Sequence, residues 1–277
     1  MKRTLPPGLR ENPVARTHAP RLRSRLRLRA VLGALTGAIL TLVVFAPAHW
    51  MARAMAHATD QRVLLADARG TVWTGSAKLL LTGGQGSRDV AALPQRVQWR
   101  WRPSAQGLRL QLTFACCAPA PLQILARPQR NGVRLVVADG LSRWPASLLA
   151  GLGSPWNSLQ PAGTLALNTR GFTASLQAGQ WQFGGAAVLE ARDISSALSP
   201  LRPMGTYRID IDGGPEPQIR LETLQGDLRL AGSGQWNGSR ITFSGEASAQ
   251  PGREEVLNNL LNIIGRRNGS KSIITLG

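Results

Sequence analysis

A mainly β fold is predicted by three features of the sequence. From Arg53 onward apolar residues recur at every second position. Gly and Pro, 30 and 18 of 277 residues, interrupt that alternation at short intervals, and only two stretches beyond Arg53 keep a helical period. The expected architecture is an N-terminal transmembrane helix followed by a mostly antiparallel, curved sheet in two halves. A short mid-chain helix and a C-terminal amphipathic helix complete it.

The chain opens on a basic segment. Residues 1–29 carry Lys2 and eight arginines against Glu11 alone, and four prolines mark 1–20 as an unstructured tail. The uncharged run Ala30–Ala48 follows. Nineteen helical residues reach about 28 Å, close to the ~30 Å of bilayer hydrocarbon. A basic block before such a helix keeps its own side cytoplasmic, so the rest of the chain is expected across an inner membrane, with Trp50 in the interfacial aromatic belt. A cleaved signal peptide is the alternative, with "APA" (46–48) or "AHA" (56–58) as the cleavage site. The apolar run exceeds the usual h-region, which favours an uncleaved anchor. The predicted organisation is a tail over 1–29, an anchor over 30–50, a β domain over 51–265 with halves 60–141 and 161–265, and a C-terminal tail over 266–277.

Within the β domain, "RVQWRW" places Val97, Trp99 and Trp101 on one face, and "GLRLQLTF" does the same with Leu108, Leu110, Leu112 and Phe114. Ten to twelve short strands are expected. "SRWPASLLAGLG" (142–153) predicts a short helix beginning near Pro145, and the Pro/Gly/Ser-rich stretch 142–160 predicts a hinge between halves. "REEVLNNLLNIIGRR" predicts a helix whose apolar face is Val256, Leu257, Leu260, Leu261 and Ile264. The end "SIITLG" reads as a last short strand. A loose repeat of glycine, three to five alternating residues and glycine recurs at Gly70–Gly75, Gly179–Gly184 and Gly226–Gly232. In the first unit the glycines are expected to delimit a strand, with Trp73 as its core anchor.

Several function classes are disfavoured. A phosphate loop needs Lys-Ser/Thr feeding a helix, and Lys78 is followed by Leu79. No His occurs beyond His57, so no catalytic triad assembles in the β domain, and His18, His49 and His57 give no metal-ligand spacing. The pairs Asp210/Asp212 and Glu254/Glu255 read as a solvated strand face and as partners of a helix dipole. No enzyme, cofactor or metal is expected. The net charge of +18 is concentrated at the N-terminus. The excess beyond Trp50 invites an anionic partner or lipid surface, but it is read as an ordinary arginine-rich surface, and no nucleic acid is expected. The adjacent Cys116 and Cys117 leave three options: buried thiols, a vicinal disulfide or an intermolecular bridge. An oxidising compartment favours the vicinal bond.

Several phrases in order resemble the general secretion pathway protein N family of bacterial type II secretion systems. They are "ADARGTVWTGSAKL", "VQWRW", "GLRLQL", "LQPAGTLAL", "ALSPLRPMGTYRIDIDG", "LETLQGDLRLAGSGQW", "FSGEASA" and "VLNNLLNIIG". "PMGTY" stands where a Pro-Leu-Gly-x-Tyr form is expected. The residues carrying the resemblance are Gly70, Trp73, Gly75, Trp99, Trp101, Pro161, Gly163, Pro203, Gly205, Tyr207, Gly226, Gly232 and Trp236, candidates for structural or partner-contacting roles. The resemblance implies a single-pass inner-membrane, non-enzymatic accessory component of a Gram-negative export machine. Its periplasmic domain would contact other secretion proteins while folded proteins cross the outer membrane. A more distant likeness to AsmA-type proteins implies the alternative, a curved sheet that holds lipid in an apolar groove.

Overall fold

The structure, a computed structural model, describes residues 21–177, 179–237 and 240–276, with side chains from residue 29 onward. Most of the predicted tail, His18 included, lies outside the described residues. The chain divides after Phe45 into two units.

The first unit contains α1, Arg21–Val44. Its apolar side chains are exposed all round, Ile39 at 61% and Leu40 at 65% among them. Among the described residues no helix is long and apolar enough to cross a membrane. The predicted 30–50 span is corrected in one respect: α1 stops at Val44, and Pro47 opens a second helix, α2, Ala48–Ala58. Proline lacks the N–H that would continue the ladder, and it caps a new helix instead. Trp50 therefore belongs to α2, in the second unit.

The second unit is one antiparallel sheet of fifteen strands among the described residues, more than the ten to twelve expected. The first seven are β1 Val63–Gly70, β2 Thr74–Thr82, β3 Val90–Ser104, β4 Gly107–Phe114, β5 Leu122–Gln129, β6 Gly132–Val137 and β7 Gly140–Pro145. After a 3₁₀ helix, Ala146–Leu152, and one turn of α3, Trp156–Leu159, come two long strands, β8 Ala162–Gln177 and β9 Gln180–Ser195. The sheet continues through β10 Gly205–Asp212, β11 Gln218–Gly226, β12 Leu228–Trp236 and β13 Ile241–Ala249. Helix α4, Glu254–Ile264, then precedes β14 Arg266–Asn268 and β15 Lys271–Leu276. Chain neighbours pair almost throughout, because each strand ends in a short turn. At the centre β6 pairs the C-terminal part of β8 and β7 pairs its N-terminal part, while β9 runs along the opposite edge.

Alternation gives the sheet two unlike faces. One face is apolar and is covered in patches. Ala48 of α2 packs with Ala77 and Trp99. Leu148 of the 3₁₀ helix packs with Leu93, Val97, Phe114 and Cys117. Leu257, Leu260 and Leu261 of α4 pack with Met204, Tyr207, Leu228 and Ala247. The α4 face agrees with its sequence pattern. The other face, called here the open face, carries the polar and charged positions.

Two boundaries differ from expectation. Residues 142–160 do not separate halves, since β7 pairs β8 and the 3₁₀ helix lies directly on the sheet. A Cβ on Gly151 would stand 2.4 Å from the Leu81 carbonyl oxygen, so only glycine permits this approach. Leu159, at the end of the same stretch, packs on the α4 cluster. The segment thus joins two cores under a continuous sheet. Likewise 266–277 is no tail: β15 pairs six residues of β13, and the Ser272 hydroxyl, fully buried, donates to the Leu261 carbonyl.

Candidate interaction surfaces

The sequence-predicted residues fall into three groups. The first surrounds Trp99. Gly70 and Gly75 pair with each other across a turn, so they close a hairpin and do not delimit a strand. Trp73 sits half-buried at the tip of that turn, and its carbonyl accepts from the Trp101 amide. The core anchor is Trp99, 3% exposed, whose indole Nε1 donates to the Val72 carbonyl at 3.0 Å. Its ring lies over Gly75, where a Cβ would stand 2.4 Å from Cζ2. The expectation for Trp73 is therefore corrected to Trp99. Turn and anchor are adjacent in space but 26 residues apart in sequence, and alternation alone does not reveal that pairing.

The second group is Gly205, Tyr207 and Gly226, brought together beneath α4, while Pro203, two residues before Gly205, is exposed. Gly205 pairs with Gly226 so closely that a Cβ on Gly226 would stand 2.2 Å from the Gly205 Cα. The Met204 carbonyl between them accepts from the amides of Asp227 and Leu228. Tyr207 is buried in this cluster, its hydroxyl against Gly205, and burial raises its pKa above the ordinary phenol value. Pro161 and Gly163 stand elsewhere, at the start of β8. There Gly163 adopts a φ of +127° at a bulge opposite Arg192 and Asp193.

The third group contains Gly232 and Trp236. Gly232 lies mid-strand in β12, where a Cβ would stand 2.5 Å from the Phe243 ring, so the three glycine-bounded units are not structural repeats. Phe243 spreads over Gly232, Gly234 and Gly245. Trp236 meets Phe183 edge-on at 5.5 Å, and Phe183 stacks with Trp181 and Phe172. With Ile241 and Leu276, 62% exposed, these rings form an apolar end of the covered face that α4 does not reach. Beside it, among the described residues, the outer edge of β15 is paired only at Lys271–Ile273, by β14. Phe172, Phe183 and Phe243 were missed as site residues, because their meeting depends on strand pairing that alternation does not reveal; the Trp181–Phe183 spacing within the Gly179–Gly184 unit was the one local signal.

The sulfurs of Cys116 and Cys117 are bonded to each other in the turn after β4, with Cys117 packed among Phe114, Leu122 and Trp144. The Cys117 carbonyl accepts from the Arg143 amide, which ties this turn to β7.

The open face holds several clefts. One, about 860 Å³, is lined by Arg134, Thr173, Ser175, Gln177 and Gln182, with Trp181 and Trp236 at its rim. Another, about 300 Å³, is lined by Asn168, Arg170, Glu190, Arg192, Arg208 and Asp210. In the latter, Glu190 accepts from Arg192 at 2.6 Å and from Arg208 at 2.8 Å, and the two guanidiniums, Arg208 first, hold its carboxyl below the usual range.

No curated protein and no solved structure matches the chain. A family model, type II secretion system (T2SS), protein N, matches residues 61–274, from the turn before β1 to within β15. The match covers the sheet, its bridging segment and α4 together. The chain therefore belongs to the type II secretion system protein N family.

Proposed function

We propose that this secretion component is a non-enzymatic accessory protein of the inner membrane, anchored by α1, whose periplasmic sheet docks other secretion proteins. The carrying observation is the apolar end formed by Trp181, Phe183, Trp236, Ile241 and Leu276, next to the part-unpaired β15 edge. Aromatics clustered at one spot, here exposed Trp181 beside half-buried Phe183 and Trp236, are the usual anchors of a protein interface, and an open edge offers backbone hydrogen bonds to a partner strand. The anchor is supported by the ring of apolar side chains around α1 and by the arginines that precede them.

The test combines genetics and cross-linking. A strain lacking the gene is expected to retain its secreted enzymes in the periplasm. A photoactivatable residue at Trp181 or Leu276 is expected to form adducts with secretion components, and the same residue at Arg229, exposed on the open face, is not. Normal secretion in the deletion strain, or adducts at Arg229 equal to those at Trp181, refutes the reading.

A further inference from the structure

The open face of β3–β6 is basic without compensation. Between Asp89 and Asp139 the sequence contains no acidic residue. Arg100, Arg102, Arg109, Arg127 and Arg134 all point to this face and are all exposed. The register sets like charges directly opposite one another: Arg102 faces Arg109, and Arg127 faces Arg134. Lys78 of β2 likewise faces Arg96. Of these only Arg96 has an acid, Asp67 of β1 at 2.7 Å; none of the described ion pairs involves the other five arginines. Arg127 donates to the side-chain oxygen of Gln106, a neutral partner. Directly opposed like charges destabilise a sheet, so two arginine pairs on neighbouring strands work against the fold. An ordinary solvated surface mixes signs, as β9–β11 do on this same face with Arg208 between Glu190 and Glu222.

We propose that the arginine face of β3–β6 docks on the anionic phospholipid headgroups of the bilayer that holds α1, an inference that rests on the anchor reading above. Two observations favour lipid over an acidic polypeptide. Besides its arginines and glutamines the face carries half-buried Leu125 and Val136 and no exposed aromatic side chain, whereas protein hot spots combine arginine with aromatic anchors. Chain order also matters: only Phe45 separates α1 from the second unit, and β1–β3 are the first strands after it. A leaflet of phosphates is then the nearest extended anionic surface, and guanidiniums bind phosphate bidentately. The row spans four strands, roughly 15 Å at ~4.8 Å each, which covers several headgroups. Docking would set the tilt of the sheet and leave the aromatic end free for secretion partners.

The experiment uses the full chain reconstituted into vesicles. Because both native cysteines are bonded, a single introduced thiol can be labelled. Gln98→Cys places a fluorophore on the arginine face, and Ser233→Cys places one on the balanced part of the open face. Replacing pure phosphatidylcholine with a mixture containing ~30% phosphatidylglycerol is expected to lower acrylamide quenching at 98 at least about twofold and to leave 233 unchanged; ~0.5 M salt should reverse the effect. Each arginine near an anionic leaflet is worth about fivefold, so Arg102→Gln with Arg109→Gln should weaken docking roughly 25-fold. Equal quenching at 98 in both vesicles overturns the proposal. So does protection by poly-glutamate but not by vesicles, which would identify an acidic polypeptide partner. Flotation with pure phosphatidylcholine vesicles reports the anchor separately. A chain that floats without lipid-dependent protection loses only the arginine face, and one protected by phosphatidylglycerol without floating in phosphatidylcholine loses only the anchor.

Discussion

Across β2–β4 the covered face is closed by several short pieces: α2 over Trp99, the 3₁₀ helix over Val97 and Leu93, and the Cys116–Cys117 turn beside Phe114. Across β10–β13 a single amphipathic helix supplies three fully buried leucines. The open faces differ as well. On β9–β11, Glu190, Arg208 and Glu222 alternate in sign across three strands, whereas β3–β6 carries arginine against arginine. At the centre of its open face the C-terminal part thus meets its own charges within the chain, Arg208 between Glu190 and Glu222. The N-terminal part keeps a well-anchored core and leaves its surface charge to be met from outside. In this reading β3–β6 keeps stability on one face and binding on the other, whereas the C-terminal part keeps its docking site at the apolar end of the covered face.

The largest effect is expected at the N-terminal anchor. Trp99→Ala should cost about 3–5 kcal/mol, read as a drop in the urea midpoint, because a buried indole and its hydrogen bonds vanish together. Trp73→Ala, at a half-buried turn tip, should cost about 1 kcal/mol. Equal losses would return the anchor to Trp73. Next come the covering segments. Leu260→Ala, at 1% exposure on the buried side of one continuous helix, should fall at the upper end of the ~2–5 kcal/mol range, and Leu148→Ala, on an adjustable 3₁₀ turn, at the lower end. The reverse order would break the comparison.

A smaller but sharper pair of changes tests the open faces. Arg102→Glu turns a like pair into an opposite pair with Arg109 and should stabilise the sheet by about 0.2–1 kcal/mol. Arg208→Glu sets three acids in a row with Glu190 and Glu222 and should destabilise it by a similar amount. Opposite signs for the same substitution are the expected result in denaturant titration. If Arg102→Glu destabilises, the arginine face has structural partners and no vacancy for a ligand.

Much of this organisation was legible in the sequence. Period-two alternation predicted the faces of β3 and β4, and the spacing of Leu257, Leu260 and Leu261 predicted the covered side of α4, because both are local. Strand pairing is not local. Nothing in "GTVWTG" states that Trp99 will lie over Gly75, and nothing in "RWRPSAQGLRL" states that Arg102 and Arg109 will oppose each other until a turn fixes the register. The basic excess was visible, but its concentration on one face of four strands was not. The stretch 142–160 misled for a related reason: glycine and proline signal a hinge, yet Gly151 is there for close contact with the sheet.

The smallest predicted effect concerns acid. Glu190 lies between Arg208 and Arg192, and both guanidiniums hold its folded pKa below the ordinary 4.5. A carboxylate with a depressed folded pKa contributes stability that is fully present above the unfolded value. That contribution is lost as pH falls from about 4.5 through the lower folded value. Acidification should therefore loosen β9–β11 first, and hydrogen exchange followed from pH 5 downward should show their amides losing protection. The open face of β3–β6 has no carboxylate to protonate, so exchange there should follow only global unfolding; Asp67, held low by Arg69 and Arg96, lies on β1 at its margin. Glu190→Gln should abolish the regional difference while leaving the β3–β6 profile unchanged. If β3–β6 opens as early as β9–β11 in the unmodified chain, the two regions share one electrostatic fate. The separation of a self-satisfied surface from a ligand-seeking one then fails.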